Sequence, residues 1–111
     1  MERQIAARYA EALFSLARER DEIDRVDSDL KAVAALLAEV SEFARLLEHP
    51  EVAQERKYSL LEEVLGEAIL PVTLSFLKLV VRRGRSELLG LVEEEYRLLA
   101  EESRGIEKVE V

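Results

Sequence analysis

The sequence contains no cysteine, so disulfides and thiolate metal sites are excluded. It has one histidine, His49, and no Glu-x-x-His pair, so the ligand set of a di-iron bundle cannot be assembled. Four glycines lie too far apart to make a phosphate-cradling loop. No apolar run approaches the roughly 20 residues needed to cross a bilayer. The amino terminus carries charges early and has no signal-peptide core. These features fit a cytosolic chain that makes no direct membrane insertion and meets a membrane only through other proteins. A basic excess is also missing. The formal net charge is −8, which repels nucleic-acid phosphates and anionic lipid unless a local basic patch prevails.

What remains is rich in helix formers, with Gly and Pro as punctuation. The 111 residues suit one domain, and a chain this long buries roughly 65% of its unfolded surface, enough for a core without staples. The pattern predicts an all-α fold, a six-helix bundle in which the first and fifth helices are the most apolar. The first helix is expected over 4–20, where Gln4, Arg8, Glu11, Ser15, Arg18 and Glu19 crowd into one narrow arc. The second, 22–39, spaces Ile23, Val26, Leu30, Val33, Leu37 and Val40 by threes and fours, with an acidic outside. Ser41 is the expected N-cap of a short third helix, 42–48. The fourth, 53–65, is expected to bury Tyr58, Leu61, Val64 and Leu65, with Gly66 in C-cap position. Pro71 opens the fifth, 71–83, where its missing N–H costs nothing. Ser86 is expected to cap the sixth, 87–103, which buries Leu88, Leu89, Val92, Tyr96 and Leu99 before Gly105 closes it. The tail 106–111 (IEKVEV) alternates apolar and polar residues and looks like a first strand without its partners.

No catalytic constellation emerges, and no cofactor or metal site is expected. His49 is expected at a helix end, where it complements the dipole. Glu93, Glu94 and Glu95, like Asp21, Asp24, Asp27 and Asp29, are expected on solvated faces, the usual place for a charge run. Arg82, Arg83 and Arg85 form a basic cluster. Favourable placement at a helix carboxyl end accounts for them; contact with an acidic partner surface is the functional alternative.

The two over-apolar helices carry the functional signal. Either both sit at the centre of the bundle, or each keeps a spare apolar face for a partner. Ala6, Ala7, Ala10, Ala12 and Ala17 fill little volume and permit a close approach, and an unfilled groove between two such helices is a helix-in-groove site. One flank of the first helix is Ile5, Tyr9, Ala12 and Leu16; the corresponding flank of the fifth is Val72, Phe76 and Leu79. Each set is a continuous ridge. Periodicity does not say which flank faces out. These are chosen because they place Tyr9 at a rim, where its ring packs and its hydroxyl stays wet, leaving Ala6, Leu13 and Ala17 for the core.

At these helices the chain resembles a known family. The segment IAARYAEALFSLA looks like the opening Ala-x-x-Tyr-Ala-x-Ala-Leu-Phe of the delta subunits of F-type ATP synthases, the oligomycin-sensitivity-conferring protein family; it is matched by Ala6, Tyr9, Ala10, Ala12, Leu13 and Phe14. LLEHPEVAQERKYSLLEEVL supplies Leu46, Leu47, Pro50, Lys57, Leu60 and Leu61 of a second family segment. TLSFLKLVVRRGRSELLGLVEEEYRLL supplies Phe76, Leu77, Leu79, Arg85, Leu88 and Leu89 of a third. The likeness runs in order along essentially the whole chain. It implies a non-catalytic stator subunit. Its amino-terminal six-helix domain grips the N-terminal helix of an alpha subunit, on top of the catalytic head, in an apolar groove between the first and fifth helices. The family's carboxy-terminal domain joins the b-subunit stalk. On this resemblance residues 1–105 are expected to form the amino-terminal domain and 106–111 to begin a missing carboxy-terminal domain, so the chain should bind the head without completing the stator. The competing class is an all-helical RNA-binding bundle of the transcription-factor type; the net charge of −8 argues against it, and no nucleic-acid partner is expected.

Overall fold

A computed structural model describes the backbone of residues 1–109 and the side chains of residues 1–105. Within them six α-helices follow in order: α1 (Glu2–Glu19), α2 (Ile23–Glu39), α3 (Ser41–Glu48), α4 (Gln54–Leu65), α5 (Pro71–Arg82) and α6 (Leu89–Val109). A 3-10 turn, Ser86–Leu88, leads into α6. The described residues contain no strand, so the fold is all-α, as expected.

α6 is the axis of the bundle. It turns Leu89, Val92, Tyr96 and Ala100 inward, and α1 and α2 pack along it. Tyr96 is fully buried; its hydroxyl donates to the Ile23 carbonyl at 2.8 Å, and its ring meets Phe14 edge-on at 5.7 Å. Three of the four buried residues of α1 are alanines, Ala6, Ala10 and Ala17, which let the two helix backbones approach closely. At the surface Arg3 clamps the start of α1 to α6 through Glu94 and Glu95. α4 and α5 form a second pair, which joins the rest through contacts of α5 with α2 and with the 3-10 turn.

The helix ends have local causes. α1 ends in a Schellman motif: Asp21, with φ 58°, donates to the Arg18 carbonyl at 3.1 Å and Glu22 to that of Ala17 at 2.8 Å. α5 ends the same way around Gly84, φ 71°, with Gly84 donating to Val81 and Arg85 to Val80, both at 3.0 Å. The start of α5 is capped from outside. Asp29 of α2 accepts from the Leu70 N–H at 2.9 Å and from the Thr73 hydroxyl at 2.8 Å. A carboxylate at the positive end of a helix satisfies orphan donors and complements the dipole.

Several expectations change. Asp27, Asp29 and Glu93 are buried, because α2 and α6 contact neighbours on more than one side. Asp27 is neutralised by Lys31 at 3.2 Å and Arg104 at 3.5 Å. Ser41 is the first residue of α3, whose N-cap is Val40, and Ser86 is the first residue of the 3-10 turn, whose N-cap is Arg85; neither N-cap position makes a side-chain cap hydrogen bond. The inward face of α4 is Lys57, Leu60, Leu61 and Leu65, whereas Val64 is exposed and Tyr58 half-buried. Leu99 is half-buried, and Val40 is exposed. His49 follows α3 in extended conformation and its Nδ1 accepts from the Glu51 N–H at 3.1 Å, closing a turn. The tail expected as strand continues α6 through Gly105 to Val109; residues 110 and 111 lie outside the described ones. A helix satisfies its backbone within the segment, which a lone strand cannot do.

Candidate partner-helix groove

α1 belongs to the α6 side of the bundle and α5 to the α4 side, so the two approach each other only loosely. They run antiparallel, with Ile5 near Leu79 and Leu16 near Val72. Tyr9 and Phe76 bridge the gap, their rings edge-to-face with centroids 6.3 Å apart. Two open cavities flank this bridge. The inner one, of about 380 Å³, is bounded by Leu13, Leu16 and Arg20 of the α1 side and by Pro71, Val72, Ser75 and Phe76 of α5. The outer one, of about 500 Å³, is bounded by Ile5 and Arg8 on one side and by Arg83 and Arg85 on the other. Tyr9, Ala12 and Leu79 line both, so the two make one continuous trough.

All seven residues singled out for the groove lie along this trough. Ile5 is at the outer end, Tyr9, Ala12 and Leu79 are central, and Leu16, Val72 and Phe76 are at the inner end. They do not lie at one depth. Leu16 is 38% exposed and forms a wall, while Val72 and Phe76 are only 7% and 8% exposed and make the floor. Tyr9, Ile5 and Leu79 are half-buried. Ala6, Leu13 and Ala17 are buried as expected. The basic cluster divides. Arg83 and Arg85 face the outer end of the trough, and Arg82 lies on the other flank of α5 beside Tyr58 and Lys78. Arg8, Arg20 and Ser75 also line the trough and were not singled out. Their signal was position: Arg8 and Ser75 sit next to ridge residues in sequence, and Arg20 is one turn beyond Leu16.

No metal-binding group of His, Asp and Glu side chains occurs among the described residues, and no helix among them is long and apolar enough to cross a membrane. The titratable groups with a clear shift lie away from the trough. Burial, reinforced by Asp27, Asp24 and Asp29, pushes the Tyr96 phenol above its ordinary range. Hydrogen bonds to Glu94 and Glu95 raise Arg3, and a hydrogen bond to Asp24 raises Arg104. The described residues thus form a helical bundle with an open, largely apolar trough on one side.

The family model "ATP synthase delta (OSCP) subunit" matches residues 5–111, and the chain belongs to that family. It is 30% identical to the ATP synthase subunit delta of Syntrophomonas wolfei over 111 residues, all of this chain and 61% of that protein. It is 34% identical to the subunit delta of Desulforamulus reducens over 107 residues, 96% of this chain and 59% of that one. A chloroplastic subunit delta from Ochrosphaera neapolitana is 36% identical over 108 residues, 97% and 60% of the two chains. The chain thus spans about three-fifths of the length of the curated relatives it matches.

Proposed function

We propose that this chain is part of the stator of a proton-translocating F-type ATP synthase. It does no chemistry of its own. It takes the N-terminal helix of an alpha subunit into the trough between α1 and α5 and so helps hold the catalytic head against rotor torque. The continuous apolar trough in a member of the delta family carries this reading. An amphipathic helix would set its apolar anchors over Phe76 and Val72 and against the walls of Leu16 and Leu79, with Ala12 leaving room for a close approach. Attachment to the b-subunit stalk would need a carboxy-terminal domain beyond these residues. The place of work is the bacterial cytoplasm, peripheral on the cytoplasmic face of the cell membrane within the synthase. The test is NMR shift mapping of this chain with a synthetic peptide of an alpha-subunit N-terminus. Shifts concentrated at Ile5, Tyr9, Leu16 and Leu79 are expected. Shifts confined to α3 and α4 would overturn the assignment.

A further inference from the structure

The trough differs from the rest of the surface in charge. The chain carries 24 carboxylates against 16 Lys and Arg, yet among the described residues no Asp or Glu lines the trough, whereas four arginines do. Three of the four, Arg8, Arg83 and Arg85, crowd the outer end; Arg20 alone stands at the inner end. Elsewhere most arginines make ion pairs, among them Arg3 with Glu94 and Glu95, Arg25 with Asp29 and Arg104 with Asp24, while Arg18, Arg45 and Arg82 make none among the described residues. Among the described residues, Arg8, Arg83 and Arg85 have no such partner. Three exposed cations close together repel one another, and in a chain of net charge −8 such a grouping is the local reverse of the whole. The local geometry holds it in place. The Schellman turn at Gly84 reverses the chain straight after α5 and sets Arg85 beside Arg83, facing Arg8 across the trough.

We propose that the trough, apolar along its floor, is asymmetric in charge from end to end and so orients its occupant. It takes an amphipathic partner helix whose acidic end lies against Arg8, Arg83 and Arg85 and whose purely apolar end lies over Val72 and against Leu16. This rests on the helix-in-groove reading above and adds a direction to it. Apolar burial is non-directional and would accept the helix either way round. The arginines supply the difference, and as rim charges they act on encounter and register more than on total affinity.

Two designed peptides with the same apolar stripe test this. One carries three glutamates at its carboxyl end and the other at its amino end, and each bears a nitroxide at its acidic end. With this chain at low salt, both labels should broaden the methyl resonances of Ile5, at the outer end, more strongly than those of Leu16 and Val72, at the inner end. Replacing Arg8, Arg83 and Arg85 together by Gln should slow association by about tenfold at low salt and let the label broaden both ends. Added salt should slow the unaltered chain towards the rate of the variant. If the labelled end follows the peptide's chain direction instead of its charge, or broadens both ends of the unaltered chain equally, the orienting role is overturned while the groove stands. If neither peptide binds in the trough, both readings fall.

Discussion

Tyr96 shows how a single polar atom is accommodated at the centre of an apolar bundle. Its ring has no exposed surface, and its hydroxyl spends its proton on the Ile23 carbonyl at the start of α2. It thereby links α6 to α2 by a bond as well as by packing. Burial raises its pKa above the ordinary value near 10. Above pH 10 the unfolded chain loses this proton before the folded one does, so folding stability falls as pH rises through that range. Tyr96→Phe removes both the hydrogen bond and the titration. It should cost about 1 kcal/mol at neutral pH, and the gap between the two proteins should narrow as pH rises above about 10. Thermal melts of both proteins from pH 7 to 11.5 measure this; a gap that widens with pH would refute it. Asp29 is the other buried polar residue with a definite task. No sequence pattern announces that task, because its partners, Leu70 and Thr73, lie more than forty residues away.

At the scale of the element, the helices were legible wherever the cause was local. Pro71 starts α5 and Gly84 ends it as their backbone chemistry requires. The inward faces of α1 and α6 follow their apolar spacing. The misreadings share a tertiary origin. Asp27 and Asp29 lie on the side of α2 that a one-faced pattern assigns to water, but α2 is flanked by both α6 and α5. Val64 and Leu60 of α4 both suit an amphipathic face, and only the position of α5 decides that Leu60 goes in and Val64 stays out. The seven ridge residues line one trough because a ridge is a local property, whereas their depth depends on how far α5 stands from α1. The two Schellman ends allow a paired prediction. A Cβ on Gly84 would meet nothing within 4 Å, so Gly84→Ala carries only the backbone penalty of a left-handed residue, about 1 kcal/mol. Asp21 already bears that penalty at φ 58°, so Asp21→Gly should gain up to about 1 kcal/mol. Urea unfolding of the two variants should show shifts of opposite sign; two losses would mean that side-chain contacts, not backbone strain, set these ends.

On the scale of the whole molecule, the bundle is two sub-assemblies joined at one side and parted at the other. α6 gathers α1 and α2, α5 pairs with α4, and the seam between α1 and α5 stays open. A bundle that closed this seam would bury Leu16, Tyr9 and Leu79 against one another; instead they stand partly in solvent above a floor of Val72 and Phe76. Core and wall should therefore separate in experiment. Tyr9→Ala and Leu79→Ala remove half-buried wall atoms. They should lower affinity for an alpha-subunit N-terminal helix by roughly 1–3 kcal/mol while costing only about 1 kcal/mol of stability. Leu13→Ala acts in the opposite sense. That side chain is 2% exposed beneath α1, so its loss leaves a cavity and should cost about 2–5 kcal/mol of stability with a smaller effect on binding. Calorimetric titration of the three variants, with thermal melts alongside, distinguishes the cases. If Tyr9→Ala and Leu79→Ala unfold the domain while binding persists in the fraction that stays folded, the seam is a packing fault in a closed bundle and the partner helix binds elsewhere.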